Sequence, residues 1–353
     1  MSPVIKYISL AVLVLALAGI SVAGYFMWKS YDFKHNPPEI TGRDVTFIIR
    51  PGSPFLKIAR QLRKENLIKD VEKFYGLALE RNMVQKLKAG EFVLNTNMLP
   101  DEVLDKLSTI GVMYKVQVRE GLTWWQAGKK VEDAGLGTFD SFKKAITDAD
   151  LLAKYAIPAA SAEGYLFPET YVMTRPESGD ARIVVEAMLR EFQKHIKEVW
   201  PEKKERPNPA ELHKLITLAS LVERETGDGA ERGTIAGVFA NRMRKGMLLQ
   251  CDPTVIYGLG EKFNGNITKS NLRDKSNRYN TYVYRGLPPG PICSPGVESL
   301  RAAAFPAKHK FLYFVAKGNG QHYFSKNLRE HNNAVIKYQL RRNKKTYRST
   351  KSE

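Results

Sequence analysis

An uncharged apolar run near the start of the chain constrains its architecture most. Residues 7–28 form 22 consecutive positions without a charged side chain, rich in Leu, Val, Ile and Ala. A helix needs about 20 such residues to cross a bilayer. Tyr7, Tyr25, Phe26 and Trp28 stand at the two ends of the run, as in interfacial aromatic belts. The run therefore predicts a transmembrane anchor.

A cleaved signal peptide is the alternative interpretation of this run. Ala16, Leu17 and Ala18 resemble a small-residue cleavage site, but the apolar residues continue well past it, which favours an uncleaved anchor. A bacterial lipoprotein anchor is not expected, because no cysteine follows the run closely. Basic residues on the two sides of the run are nearly balanced, so charge alone does not fix its orientation.

The chain is strongly basic, with 55 Lys and Arg against 37 Asp and Glu and a formal net charge of +18. Such an excess suits an anionic partner such as nucleic acid, phospholipid headgroups or cell-wall polymer. Part of it lies in a polar tail, residues 341–353, which we predict to be disordered. Because no basic stripe interleaved with aromatic residues occurs elsewhere, nucleic acid is not an expected partner.

Short strands and helices alternate after the apolar run, which predicts an α+β fold. Residues 45–50 and 90–94 have the composition of strands, and two amphipathic helical patterns lie between them. This β-α-α-β order, with a Pro51-Gly52 turn, resembles the LysM-like modules of cell-wall proteins. A generic α+β domain fits the same segment.

A partial repeat of the first strand and turn follows. Residues 114–121 echo residues 45–52, and a helix opens at Leu122 and Thr123. Two copies of a strand-turn-helix unit indicate packing units rather than a solenoid. Trp124 and Trp125 in this helix could stack on sugar rings, although packing against the strand is the commoner use of such side chains.

The best indication of a catalytic site in this sequence is a helix that ends on two carboxylates. Asn208 and Glu211 predict its start as an N-cap and a capping box. Apolar residues then recur at helical spacing until the chain reaches Glu223 and Glu225, and Gly227 predicts the stop. Burial in a cleft wall would raise the pKa of one carboxyl group, as a general acid requires, whereas a solvated helix end is the alternative.

The sequence beyond this helix is rich in Pro, Gly, Tyr, Asn and Gln, which suits a groove that binds polar, ring-shaped groups. A closing hairpin is predicted at residues 311–316 and 322–324. We find no P-loop, dinucleotide-binding fingerprint, nucleophile elbow or His-Glu-x-x-His pattern, and the six histidines are scattered. The sequence therefore points to carboxylate chemistry, with no metal and no cofactor expected.

Four stretches of the chain resemble the MltG/YceG-like family of membrane-anchored endolytic murein transglycosylases. They are LASLVERETG, LQCDPTVIYG, YNTYVYRGLPPGPICSPG and YFVAKGNGQHYFS. The resemblance implies cleavage of peptidoglycan between N-acetylmuramic acid and N-acetylglucosamine, with 1,6-anhydro ends. It also implies an inner-membrane location with the body in the periplasm, a role in ending nascent strands, and peptidoglycan synthases as partners.

The resemblance also chooses between the two glutamates. Periodicity does not, because Glu223 and Glu225 both flank the apolar stripe. The family pattern places the catalytic acid at Glu225 and leaves Glu223 as the alternative acid. Substrate-binding residues are expected at Glu163, Gln250, Asp252, Asn280 and Tyr282, although each of them could instead only shape a loop.

Two other functions fit the same residues. A muramidase-type hydrolase needs two carboxylates, and Asp252 or Glu163 would be the second. A non-catalytic scaffold would bind peptidoglycan through the LysM-like module alone. Cys251 and Cys293 are the only cysteines, and the sequence leaves open whether they pair.

These patterns divide the chain into six predicted segments. They are a stub and anchor (1–30), a linker (31–43), a LysM-like module (44–110), a second strand-turn-helix unit with its connecting region (111–205), a catalytic core (206–340) and a basic tail (341–353).

Overall fold

The computed structural model describes residues 3–176, 179–200 and 207–340, and for residues 3–12, 14 and 262 it describes the backbone only. The predicted basic tail and residues 201–206, where the predicted connecting region ends, lie outside the described residues. The chain forms two compact units. The first comprises Met1–Tyr114 and Val172–Arg175, and the second comprises Lys115–Tyr171 and Pro176–Glu353.

The first unit is built around one antiparallel strand pair. Its elements are α1 (Pro3–His35), β1 (Asp44–Ile49), α2 (Phe55–Lys64), α3 (Val71–Glu80), β2 (Gly90–Asn95) and α4 (Pro100–Ser108). β1 and β2 pair with Phe47 opposite Phe92, and the predicted β-α-α-β order is present. Apolar side chains from both strands and from the helices around them, including the fully buried Leu62 and Phe74, form the core.

The first helix, α1, extends beyond the predicted span of residues 7–28. Its end belongs to the core of the first unit, because Phe33 is 4% exposed and Asp32 Oδ2 lies 2.8 Å from Lys69 Nζ. The linker predicted from residue 31 is therefore helical as far as His35. Within the part of the chain that the structure describes, no helix is both long enough and apolar enough to cross a membrane.

The second unit is mainly helical. Its elements, with the two strands at its boundary, are β3 (Tyr114–Gln117), α5 (Trp124–Asp133), α6 (Phe139–Ile146), α7 (Ala149–Lys154), β4 (Thr170–Met173), α8 (Arg182–Val199), α9 (Pro209–Glu225), α10 (Arg232–Arg244), α11 (Asp252–Leu259), α12 (Lys269–Arg273), α13 (Val297–Ala304), β5 (Tyr313–Ala316), β6 (His322–Ser325) and α14 (Leu328–Val335). β5 and β6 form the predicted hairpin, with Ala316 opposite His322. The fold is α+β, as the sequence predicts.

The helix α9 lies at the centre of the second unit and packs against α10 and α13. Residues 216–222 are all buried, so this stretch has no solvated face. At its start, the Asn208 side chain accepts from the Glu211 N–H at 3.0 Å and Glu211 accepts from the Asn208 N–H at 3.1 Å. The predicted capping box is confirmed.

The end of α9 agrees with the stop predicted at Gly227. The last helical residue is Glu225, and Thr226 is already extended, at φ −91° and ψ 120°. The Thr226 hydroxyl donates to the carbonyl of Val222 at 2.6 Å, which satisfies one of the carbonyls left open at the helix end. Glu225 thus occupies the last helical position, Thr226 is the C-cap, and Gly227 is the residue that follows.

Replacing Asn208 tests how much the capping box contributes. Asn208→Ala removes the side-chain acceptor and is expected to lower the free energy of unfolding of the second unit by about 1 kcal/mol. Chemical denaturation of the purified protein measures this loss. Asn208→Ser keeps a capping oxygen and serves as the control, and an equal loss in both variants would contradict a capping role.

Candidate active site

Glu225 lies in the wall of a cavity of about 470 Å³ in the second unit. The other walls come from α10, from the segment that leads into α11, from the β5–β6 hairpin and from the last helical turns. Besides Glu225, the lining includes Arg224, Phe239, Arg242, Leu249, Gln250, Cys251, Asp252, Pro253, Tyr282, Phe314, His322 and His331. The structure thus brings four of the predicted site residues together: Glu225, Gln250, Asp252 and Tyr282.

Tyr282 and Asp252 form a polar pair in this wall. The Tyr282 hydroxyl donates to Asp252 Oδ1 at 2.6 Å. Burial and, to a smaller extent, this hydrogen bond raise the pKa of Tyr282 well above its ordinary value. The hydroxyl therefore stays protonated at neutral pH, and its proton is directed at Asp252.

Gln250 has an unusual backbone conformation, with a φ of 51°. Non-glycine residues rarely occupy this left-handed region, and they persist there when their surroundings hold them. Here the Gln250 N–H donates to the Thr281 carbonyl at 3.1 Å and the Cys251 N–H donates to the Thr281 hydroxyl at 3.0 Å. Thr281 therefore holds the backbone at Gln250 and Cys251 in place.

The thiol of Cys251 contacts the predicted catalytic carboxylate. Its Sγ lies 3.2 Å from Glu225 Oε1, with the thiol as donor. Burial, followed by the nearby Glu225, raises the pKa of Cys251 well above its ordinary value. Cys293 is also a buried free thiol, and its Sγ lies 3.4 Å from the carbonyl of Ser220. The two cysteines thus make separate hydrogen bonds in this structure.

Arg242 is a buried cation in the cavity wall that the sequence reasoning did not identify. It is 8% exposed, and burial lowers the pKa of its guanidinium. The guanidinium donates to the carbonyls of Leu312 at 2.6 Å and Leu249 at 2.8 Å, and it lies 5.0 Å from the centre of the Tyr313 ring. These contacts connect α10 to the hairpin and to the Gln250 segment. An arginine within a helix gives no sequence signal of such a role.

Glu223 occupies a different environment from Glu225, although only one residue separates them. Its Oε2 accepts from the N–H of Gly296 at 3.0 Å, and its Oε1 lies 3.4 Å from Arg232 Nη2. The side chain is 7% exposed and is absent from the described lining of the Glu225 cavity. A Cβ at position 296 would overlap the Glu120 carboxylate, so a larger residue there would displace this half-exposed side chain. Glu223 thus has the contacts of a structural residue.

Asn280 is buried away from the cavity lining, at 0% exposure. Its side-chain amide donates to the carbonyls of Asn271 at 3.0 Å and Asp274 at 3.0 Å, and its oxygen accepts from the N–H of Tyr282 at 3.0 Å. These bonds order the loop that presents Tyr282. The predicted contact of Asn280 with substrate stays a prediction, and its observed contacts are with the backbone.

Glu163 also lies outside the described lining of the Glu225 cavity, and it is 3% exposed. Its carboxylate accepts from the N–H groups of Trp124 at 3.0 Å and Gly164 at 3.2 Å and bonds to the hydroxyl of Tyr257. Glu163 thereby joins the start of α5 to α11. Burial outweighs these bonds and raises the pKa of Glu163 to about 7.

The raised pKa of Glu163 predicts how stability depends on pH. The folded chain holds a proton that the unfolded chain releases between the ordinary pKa of 4.5 and about 7. The stabilising contribution is complete below pH 4.5 and is lost as the pH rises to about 7, which amounts to about 3 kcal/mol. Glu163→Gln removes this titration.

Unfolding free energies of wild type and Glu163→Gln at several pH values between 4 and 8 test this expectation. The difference between the two proteins should shift by about 3 kcal/mol in favour of the variant as the pH rises. A difference that stays constant across the range would show that Glu163 does not carry the raised pKa.

The comparisons with known proteins agree on one family. A model of the YceG-like family matches residues 47–337. The chain is 34% identical over 320 residues to the endolytic murein transglycosylase of Bacillus subtilis (strain 168), covering 85% of this chain and 86% of the relative. It is 28% identical over 359 residues to that of Streptococcus pneumoniae serotype 2 (strain D39 / NCTC 7466), covering 91% of this chain and 63% of the relative.

A solved structure is similar as well. The crystal structure of a yceG-like protein from Listeria monocytogenes superposes with a TM-score of 0.54 at 31% identity, covering 82% of this chain and 99% of that chain. Family model, relatives and structure each cover most of the residues that build both units. This chain belongs to the YceG-like family.

Proposed function

We propose that this chain is an endolytic murein transglycosylase, which cleaves peptidoglycan strands between N-acetylmuramic acid and N-acetylglucosamine and leaves 1,6-anhydro ends. Relatives from Bacillus subtilis and Streptococcus pneumoniae carry that name, and their alignments cover 85% and 91% of this chain. The observation that carries the proposal is Glu225 at the end of a buried helix, in a cavity wall with Gln250, Asp252 and Tyr282.

In the proposed mechanism Glu225 acts first as an acid and then as a base. Its carboxyl group gives a proton to the glycosidic oxygen, and the bond from that oxygen to C1 of the muramyl sugar breaks. The C6 hydroxyl of the same sugar bonds to C1, and its proton passes to the Glu225 carboxylate. No water is consumed. The intramolecular attack benefits from the high effective concentration of an aligned hydroxyl.

The surroundings of Glu225 support both of its proposed protonation states. The C-terminal end of α9 carries partial negative charge, which favours the neutral acid before reaction. When the proton has left, the thiol of Cys251, 3.2 Å from Oε1, can donate to the carboxylate. The buried cation of Arg242 in the same cavity wall offsets the new negative charge.

A muramidase-type hydrolase is the second candidate function, and the position of Asp252 supports it. This residue lies in the same cavity wall as Glu225, where a muramidase would need its second carboxylate. Glu163, the other candidate for that role, is buried between α5 and α11. Mass spectrometry of the digested glycan separates the two reactions, because anhydro ends are lighter than reducing ends by one water. Reducing ends as the main product would overturn the transglycosylase.

A matched pair of variants tests which glutamate is the acid. Glu225→Gln keeps the shape of the side chain but has no proton to give, so strand cleavage is expected to fall by about 10²- to 10⁴-fold. Glu223→Gln is expected to lower the free energy of unfolding by about 1–3 kcal/mol, since it disturbs the contacts with Gly296 and Arg232. The folded fraction of Glu223→Gln should still cleave glycan strands.

Digestion of purified glycan strands, with thermal unfolding as the check on folding, measures both effects. The reversed result, with an active Glu225→Gln and a folded but inactive Glu223→Gln, would move the acid to Glu223. Full activity of both variants would mean that neither glutamate is the acid, whereas a folded wild type that binds but does not cleave glycan would favour the peptidoglycan-binding scaffold.

We also propose that α1 anchors the protein in the inner membrane and places both units in the periplasm. The support is the uncharged sequence of residues 7–28, together with exposed apolar side chains along α1 such as Leu15 at 72%, Ile20 at 68% and Met27 at 74%. On this proposal the first unit, whose likeness to LysM modules stays a prediction, binds glycan or positions the site near the membrane. Peptidoglycan synthases are the proposed partners there.

Removal of residues 1–30 tests the anchor. The full chain is expected in the membrane fraction and released by detergent but not by high salt, whereas the shortened chain is expected in the soluble fraction. Release of the full chain by salt alone would mean that it is held by charge rather than by an apolar span.

A further inference from the structure

His322 is a buried histidine in the wall of the Glu225 cavity, and the proposed mechanism does not use it. It opens β6 and is 5% exposed. The edge of its ring meets the ring of Phe314 at a centroid distance of 5.3 Å, with the planes at 84°. A titratable side chain held in this way beside a predicted catalytic acid is a candidate for contact with substrate.

The carboxylate of Glu231 fixes His322 through three contacts. The His322 backbone N–H lies 3.0 Å from Oε1 and 3.1 Å from Oε2, and ring Nδ1 lies 2.7 Å from Oε2. Glu231 itself is largely buried, with its side chain 14% exposed. A carboxylate that also accepts from the backbone is an acceptor toward Nδ1, so Nδ1 carries the proton. The pair therefore sets both the plane and the tautomer of the ring.

Nε2 is the remaining polar atom of this ring. Among the described residues, the hydrogen bonds of His322 go to Glu231 only, through its backbone N–H and Nδ1. In a neutral imidazole whose Nδ1 is protonated, Nε2 is an acceptor. The bound glycan offers many donors to it, namely hydroxyl groups and N-acetyl N–H groups.

We propose that His322 is a glycan-contacting residue of this cavity, with Nε2 accepting a hydrogen bond from the sugar bound at Glu225. Glu231 is its positioning residue, because it holds the ring and keeps the acceptor at Nε2. The inference rests on the proposed function only in assigning a glycan to the cavity.

Asn is the most informative replacement for His322. In His322→Asn the side-chain NH₂ can replace the Nδ1–H that faces Glu231, whereas nothing replaces Nε2. The fold should therefore persist while the contact to glycan is lost. We expect kcat/KM for strand cleavage to fall about 10- to 100-fold, as for one buried hydrogen bond to substrate.

Glu231→Gln addresses the positioning role. In this variant the amide NH₂ donates to Nδ1. The ring proton then lies on Nε2, which becomes a donor instead of an acceptor. Activity should fall by a similar factor, and the double variant His322→Asn with Glu231→Gln should lose no more than either single variant, because the two residues act as one unit.

Gln321 provides a matched control. It tests whether His322 and Glu231 act only by holding the β5–β6 hairpin in place. The side-chain amide of Gln321 donates to Asp228 Oδ2 at 3.1 Å, so it joins the same strand end to the segment that carries Glu231. Its side chain is outside the described cavity lining. Gln321→Ala breaks this neighbouring tether without touching the cavity, and kcat/KM is expected to stay within about twofold of wild type.

The experiment measures kcat/KM on purified glycan strands with the full chain in detergent, together with thermal unfolding of every variant. Wild-type activity in folded His322→Asn, with an inactive Glu225→Gln, would overturn this inference and leave the proposed function standing. An equal loss in Gln321→Ala would assign the effect to tethering and overturn it as well. An active Glu225→Gln would overturn the assignment of the acid, and reducing ends as the main product of the wild type would overturn the proposed function itself.

Discussion

The cavity depends on one buried cation. Removing a guanidinium from water costs several kcal/mol unless acceptors replace the water. Arg242 meets this requirement with backbone carbonyls from two segments distant in sequence, at Leu249 and Leu312. Because neither segment alone satisfies the charge, the Gln250 segment and the hairpin have to close on α10 together. The walls that face Glu225 are thus set by the hydrogen-bonding needs of Arg242, the same cation that is proposed to offset the charge formed on Glu225.

The two glutamates at the end of α9 illustrate how the same side chain acquires different roles within one helical turn. Glu223 is directed at Arg232 and the N–H of Gly296, so it joins α9 to the start of α13. Glu225 is directed at the cavity, where its contact with Cys251 is with a weak donor. The two glutamates therefore differ in what their helix faces meet: Glu223 contacts the start of α13, and Glu225 faces the cavity.

Local chemistry made part of this structure predictable from sequence. The capping box of Asn208 and Glu211, the β-α-α-β order and the closing hairpin follow from short-range patterns, and all three are present. Glu163 and Asn280 could not be placed in this way. Both stand in loops rich in polar residues, where a carboxylate or amide normally suggests a surface. Their burial depends on distant backbone donors and acceptors, such as the N–H of Trp124 for Glu163. Periodicity was likewise unable to separate Glu223 from Glu225, because the distinction lies in what each helix face meets.

The thiol beside Glu225 has a consequence for the chemical durability of the protein. Cysteines react with oxidants and alkylating agents as thiolates, and burial together with the adjacent carboxyl group raises the pKa of Cys251 well above its ordinary value. Cys293 is buried as well, and its pKa is raised for the same main reason. Outside a reducing environment, a cysteine in the wall of a cavity is commonly prone to oxidation. In this chain burial, together with the adjacent carboxyl group, keeps the sulfur protonated and slow to react, so the cavity retains this hydrogen-bond donor beside Glu225.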